Sequence, residues 1–564
     1  MNENCSIGYV VGGGLKENLR VRLLLPAQEV QEGSFVIVDS GDWRFYGFVT
    51  DLMLGATDPR FADEQSETRL PPGLAALLHG QTLFTNLEVM PALMLEIGPD
   101  LASPRYPAWR EAHPEDPRPI PIKTVPAHHA QVRRAEAGDV AEIFGDPEEK
   151  GNFIIGHTRE QNLPVCIDMD KFVQRSSGIF GATGSGKSFL TRILLAGLIQ
   201  YDRSSVLIFD MHNEYGPDDT ASDTNKKVPG LRGKFPGKVR MVGLGRDSNV
   251  RGMTPDFQLE IAQRDITAAD IEMLTRELNL RETTPATLNA LVHDYKDTWF
   301  QKFMALRPGA TIENEEGKTI PAPDSVEGWA ARNGVNTAAA SGLHQKLGRL
   351  FRKSYIVEKP AADTLGEIIR SLEAGRHVVL SFGSHDEDLD YLLVTNMLTR
   401  QIRERWEQTT NDFRSGKNAK EPRPLVIAVE EAHKLLNREM AAQTAFSTIA
   451  REMRKYYVTL LIIDQRPSQI YDEVMSQLGT RICGWLGDDL DIQAVLSGLA
   501  SKDTLRGMLA RLQPKEEVLL LGWGVPMPIP VRSRRYNDQF WRELKGDGFE
   551  SARKESDILK ELGY

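Results

Sequence analysis

The run Gly181-Ala182-Thr183-Gly184-Ser185-Gly186-Lys187-Ser188 has residue types and spacing suited to holding a phosphate. An apolar segment ending at Phe180 precedes it and a helical pattern over Phe189–Gln200 follows, the two flanks that a G-x-x-x-x-G-K-[ST] loop requires. Gly181, Gly184 and Gly186 let the backbone wrap an anion with its N–H groups turned inward, and the helix amino terminus adds the positive end of its dipole. Lys187 is then placed to neutralise the β and γ oxygens of a nucleotide, and the Ser188 hydroxyl to ligate Mg²⁺. The ligand this chemistry suits is ATP with Mg²⁺.

A second set of groups closes the apolar run Leu425–Val429, which continues as Glu430-Glu431-Ala432-His433. Successive side chains leave a strand on opposite sides, so two carboxylates take two roles. Glu430 is assigned to Mg²⁺, through water, and Glu431 to orienting and deprotonating the attacking water. The plainer alternative is a pair of acids complementing a helix dipole. The apolar run Val458–Ile463 ends in Asp464-Gln465-Arg466-Pro467, where Gln465 is a candidate sensor of the γ-phosphate, or part of a turn fixed by Pro467.

Three readings stay open for Asp210-Met211-His212-Asn213-Glu214-Tyr215, which follows the buried-type strand Ser205–Asp210 at the end where open α/β sheets bind ligands. The cluster is a metal site, a support round Mg²⁺ or the attacking water that brings Asp210 and His212 to the nucleotide, or a hydrogen-bonded turn. Glu214 also competes with Glu431 as catalytic base. In the expected helix Arg438–Tyr457, Phe446, Ile449 and Met453 share one face, so Arg451 and Arg454 project away from the core. That placement suits an arginine finger inserted into a neighbouring subunit's nucleotide, or a solvated basic face.

The elements that must carry these groups are set by the rest of the chain. Its 564 residues favour several domains, and 41% hydrophobic with 26% charged residues is the balance of a globular protein, which excludes wholesale disorder. Lys plus Arg is 68 against 79 for Asp plus Glu, a net charge of −11 that excludes a uniformly basic nucleic-acid coat but not a basic lining. Cys5, Cys166 and Cys483 are too few for a disulfide scaffold, and no apolar run approaches a membrane span, so a reducing cytoplasm is expected.

Short strands broken by Gly13-Gly14, Gly33 and Gly41 predict a small β-barrel over 1–100. A proline-rich linker, Pro99–Pro126, and a helix, His128–Phe144, fill 101–150. Alternating buried strands and helices over 151–265 and 356–535 predict a parallel α/β core, including a strand at Arg481–Trp485. Residues 266–355 are expected to be a helical insertion with a loop at Pro308–Gly328, and 536–564 a charged tail. Two local basic runs, Arg232, Lys234, Lys238 and Arg240, then Lys346, Arg349, Arg352 and Lys353, are candidate phosphate contacts or solvated surface.

Taken together and in order, the phosphate loop, Asp210-Met-His-Asn-Glu-Tyr215, Val429-Glu-Glu-Ala-His433, Ala450-Arg-Glu-Met-Arg-Lys-Tyr456 and Asp464-Gln-Arg-Pro467 resemble the HerA branch of the HerA/FtsK ATPases. The segment Gln513–Leu521 through Val531 also looks like that family's terminal β element. One departure is Glu430, where many members carry Asp. The resemblance implies a RecA-like P-loop ATPase core with an amino-terminal small β-barrel and an inserted helical subdomain. It further implies a homohexameric ring that pumps double-stranded DNA, with a partner docked on it: a NurA-like nuclease, or a defence effector such as a sirtuin-type NADase. DNA-end processing and antiphage defence are both compatible with it. The alternative is a ring-shaped ATPase scaffold that assembles and regulates a partner enzyme with little translocation of its own.

Overall fold

The computed structural model describes residues 6–15, 17–57, 83–220, 227–246, 248, 250, 252–315, 317–385, 387–418, 420–440, 445–499 and 502–545. The chain divides into two compact units. The first comprises Met1–Phe172, Gly181–Leu190 and Gly479–Trp541, and the second Val173–Phe180, Thr191–Leu478 and Arg542–Tyr564.

In the first unit, alternation of apolar and polar residues rolls the amino-terminal strands into a closed barrel. Its ring runs Glu17–Leu23, Ser6–Gly14, Gln131–Arg134, Phe35–Ser40, Trp43–Ala56, Leu83–Glu96 and back to Glu17–Leu23, every pairing in it antiparallel. Closure leaves no free edge in the ring, and the inward residues Val10, Val21, Val38, Phe45, Leu87 and Val132 share one core.

The strand Gln131–Arg134 corrects the expectation of one helix over His128–Phe144. Val132 is fully buried in the barrel while Arg133 reaches outward to Asp139 at 2.6 Å and Asp39 at 2.9 Å, so period two wins over this stretch. The helix is confined to Ala137–Phe144, started by a capping box between Glu136 and Asp139. The barrel thus draws in residues well past position 100. The proline-rich segment is also more ordered than a linker. It forms the helix Tyr106–Ala112, with proline in the first turn, and Ile120–Pro121 pairs along Leu83–Glu96, outside the closed ring.

Five further strands of the first unit lie in the order Thr480–Cys483, Glu517–Gly522, Ile529–Ser533, Asn152–Thr158, Pro164–Asp168, each antiparallel to the next. Thr480–Cys483 replaces the strand expected at Arg481–Trp485, and its pairing with Glu517–Gly522 is antiparallel.

The second unit holds the parallel sheet. Its strands lie in the order Phe257–Leu259, Val239–Leu244, His377–Ser381, Ser205–Asp210, Leu425–Glu430, Val458–Asp464, Ser177–Phe180, and every pairing is parallel. The central strands are apolar without alternation because both faces are covered. The long helix Asp388–Arg414 belongs to this unit. Residues 266–355 contain the helices Ala268–Glu272, Thr284–Tyr295, Trp299–Met304, Val326–Arg332 and Thr337–Phe351. The stretch read as a loop at Pro308–Gly328 instead carries a hairpin, Thr311–Glu313 with Thr319–Pro321, and the start of a helix that Ser325 caps. Asp538–Lys545 is a helix, and residues 546–564 of the charged tail lie outside the described residues.

Among the described residues no helix is long and apolar enough to cross a membrane, and Cys166 and Cys483 are buried free thiols. As a prediction for the corrected barrel strand, Val132→Ala removes buried methyl groups and costs about 2 kcal/mol. Urea denaturation measures it, and a loss below about 0.5 kcal/mol, the range of surface substitutions, rules Val132 out of the barrel core.

Candidate functional site

In the first unit the phosphate loop has the backbone its glycines permit. Gly184 and Gly186 lie at φ +80° and +90°, where a side chain is strained. A Cβ on Gly186 would stand 3.0 Å from the Lys515 Cα, and one on Gly181 would collide with the Ser185 hydroxyl. Ala182 donates its N–H to the Trp485 carbonyl at 3.0 Å, Lys515 donates to the Ser185 carbonyl at 2.9 Å, and Ser185 donates to Ala182 at 3.0 Å. The helix Lys187–Tyr201 starts at the lysine. Thr183 and Gly184 are exposed at the loop's crest, with Lys187 and Ser188 half-buried behind them. Trp485 and Lys515 carry no signal of this role in the sequence. It becomes visible only once their segments lie against the loop, although the φ of +67° at Lys515 marks the constraint.

In the second unit Leu425–Glu430 and Val458–Asp464 run side by side, with Glu430 opposite Ile463. Glu430 is 4% exposed. The Tyr215 hydroxyl donates to its Oε1 at 3.1 Å, and the Tyr391 hydroxyl donates to its main-chain oxygen at 2.7 Å. Strand alternation does not separate the two carboxylates, because the strand ends at Glu430 and Glu431 turns away in the left-handed region at φ +47°. Gln465 then donates its Nε2–H to Glu431 Oε2 at 3.3 Å. The next helix, His433–Leu436, has Ala432 as N-cap.

His433 lies behind this pair, with its Nδ1 3.0 Å from Asp464 Oδ2 and 3.8 Å from Glu431 Oε2. Hydrogen bonding to Asp464 raises the His433 pKa despite partial burial. Burial alone would raise Asp464, but the His433 ring and the N–H groups of His433 and Arg466, each at 2.7 Å, hold it below the ordinary value.

The Asp210 cluster resolves as a hydrogen-bonded turn. Asp210 is fully buried, and its carboxylate accepts the N–H groups of Glu214 at 2.7 Å, Tyr215 at 3.0 Å and Gly216 at 3.0 Å. Burial raises its pKa against those three bonds. Both Asp210 oxygens are thus engaged by the turn. His212 is exposed, and among the described residues no group of three or more His, Cys, Asp or Glu could hold a metal. The Glu214 carboxylate is half-buried, and its main-chain oxygen accepts the Arg192 guanidinium at 3.0 Å.

Phe446, Ile449 and Met453 are buried as their spacing predicts. The single helix expected over Arg438–Tyr457 is broken, however: Ala445–Glu452 is α-helical and Met453–Tyr456 a 3-10 turn, closed by Tyr457 at φ +64°. The helical step of 100° per residue that would set Arg454 beside Arg451 therefore fails past Glu452. Both arginines are exposed, and Arg451 stands 3.4 Å from Glu473. Of the basic runs, Arg232 pairs with Asp256 at 2.7 Å, Arg240 with Glu367 at 2.7 Å and Lys353 with Asp390 at 2.9 Å, and Lys234 is buried. Lys238 and Arg352 are exposed.

The pattern of family Helicase HerA, central domain, matches residues 153–402. Over those residues the chain is similar to the HerA helicase family. It is similar to the DNA double-strand break repair helicase HerA of Saccharolobus solfataricus, 24% identical with 93% of this chain and 91% of that protein covered. The protein of the same name from Sulfurisphaera tokodaii is 25% identical, with 96% and 94% covered. Among solved structures, VirB4 of Thermoanaerobacter pseudethanolicus is similar at 17% identity and a TM-score of 0.42, over 69% of this chain and 97% of that one. With its phosphate loop, this chain is a P-loop NTPase.

The His433–Asp464 pair confers a pH dependence. The raised histidine stabilises the fold fully below its unfolded pKa of 6.5 and loses that effect as pH rises through its folded value. The depressed aspartate contributes above 3.8 and loses its effect as pH falls through its folded value. The stability gap between the natural chain and His433→Gln should be widest between pH 3.8 and 6.5 and narrow above that interval. Thermal denaturation across that range measures it, and a gap that stays constant to about pH 9 contradicts the assignment.

Proposed function

We propose that this chain is an ATP-driven motor on double-stranded DNA that works as a closed homohexamer with a docked nuclease or defence effector. The observation that carries the catalytic part is the Glu431 carboxylate, turned out of its strand and holding the Gln465 amide at 3.3 Å, which joins a water-activating group to a phosphate sensor. The curated relatives named DNA double-strand break repair helicase, matched over more than nine-tenths of this chain, support DNA as the track.

In this reading the loop Gly181–Ser188 binds the triphosphate, with Lys187 on the β and γ oxygens, and Glu431 orients the attacking water and takes its proton. Ser188 and Glu430 are each an oxygen donor of the type Mg²⁺ takes, and the ion would supply charge neutralisation at the phosphates. Exposed Arg451 or Arg454 acts on the neighbouring subunit's γ-phosphate, which requires a head-to-tail interface that closes into a ring. DNA contacts then involve phosphates without base readout, so affinity falls with salt.

Two experiments test this. Long duplex DNA should stimulate ATP hydrolysis by the full-length chain, Lys187→Ala should abolish nucleotide binding, and Glu431→Gln should retain ATP while turnover falls about 10²- to 10⁴-fold. No response to DNA, alongside hydrolysis that depends on the partner enzyme, would replace the motor with a scaffold. In the second, Arg451→Ala and Lys187→Ala subunits, each inactive alone, recover turnover when mixed, because only a shared site combines an intact loop with an intact finger. Failure of both this mixture and the equivalent one with Arg454→Ala removes the trans contact.

A further inference from the structure

Two tyrosine hydroxyls from different parts of the second unit converge on one residue. Tyr215, fully buried, reaches Glu430 Oε1 at 3.1 Å, and Tyr391, fully buried on the helix Asp388–Arg414, reaches the Glu430 main-chain oxygen at 2.7 Å. The spacing of the Asp210–Tyr215 cluster explains the first contact. Asp210 ends its strand, takes the N–H groups of the fourth, fifth and sixth residues after it, and so fixes the backbone of Tyr215. The strand Ser205–Asp210 lies beside Leu425–Glu430 with Phe209 opposite Val429, which brings the turn next to the end of the carboxylate strand. Tyr391 is held from its own side, its ring edge-on to Phe382 at 5.2 Å.

We infer that Tyr215 and Tyr391 are positioning residues for Glu430, one fixing its carboxylate and the other its backbone, so that this group meets Mg²⁺ from a single orientation. A glutamate has one more rotatable bond than an aspartate, and a buried carboxylate at a strand end has several rotamers to choose from. A donor on one oxygen selects among them, as the outer hydrogen bonds of metal ligands do generally. Neither tyrosine touches nucleotide or metal in this account, and both act through Glu430. The inference rests on the assignment of Glu430 to Mg²⁺.

Tyr215→Phe and Tyr391→Phe remove one hydroxyl each and keep the ring. The readout is binding of a fluorescent, non-hydrolysable ATP analogue to the full chain, titrated with Mg²⁺ and repeated in excess chelator. Tyr215→Phe should raise the half-saturating Mg²⁺ concentration about tenfold, with affinity in chelator unchanged. Tyr391→Phe should shift it in the same direction. The double variant should fall short of the product of the two, since both act through the one residue Glu430. A midpoint within twofold of the natural chain for both variants overturns the inference, as does equal weakening with and without metal, which marks a purely structural role. Glu430→Gln separates the two levels. If it leaves the Mg²⁺ midpoint unmoved, the metal assignment itself fails, whereas a shift there with none in the tyrosine variants removes only the positioning role.

Discussion

The parallel register of neighbouring strands in the second unit is the constraint on which its site depends. Asp210 stands opposite Ser381, Phe209 opposite Val429, and Glu430 opposite Ile463, so the carboxyl ends of the strands finish together. A one-residue slip in this sheet would repack every buried side chain against new neighbours and leave Asp210 or Asp464 buried without donors. Each strand therefore delivers its last polar residue to the same edge, and each turn after it starts from a defined place.

Beyond the strand ends lie buried polar groups that satisfy one another. Asp210 collects three N–H groups, Asp464 collects two N–H groups and the His433 ring, and Glu430 receives two tyrosine hydroxyls. Such networks stabilise only when complete, since one missing partner leaves a desolvated charge or dipole. The bonds that are made hold these groups in defined orientations. Glu431 is the point where local strain enters. Its left-handed backbone is uncommon for a residue other than glycine, and it is what aims the carboxylate at Gln465.

Much of this was legible in residue types. The phosphate loop announces itself because only glycine tolerates the φ of Gly184 and Gly186, and the apolar strands announce themselves by their lack of alternation. Less legible were the places where partners come from far away in the chain. Gln131–Arg134 looks helical beside its neighbours, and becomes a strand because the ring of Ser6–Gly14 and Phe35–Ser40 needs a member between them. Tyr391 is 39 residues from Glu430, and nothing in its helical surroundings distinguishes it from another core aromatic. The expected helix Arg438–Tyr457 breaks because the chain turns at Tyr457 to enter the strand at Val458, a demand no periodicity records.

The amino-acid sequence alone determined the chemistry on offer: a loop whose glycines, lysine and serine suit a triphosphate, carboxylates at the end of an apolar strand, and an order of motifs shared with the HerA family. Those properties are local, set by side-chain type, backbone freedom and short-range period. Tertiary structure decided which of the polar groups meet. Asp210 became the anchor of a turn, Tyr215 and Tyr391 the partners of Glu430, and Gln465 the partner of Glu431. A hydrogen bond needs its two ends within about 3 Å, and for residues tens to hundreds of positions apart only the packed sheet brings them that close.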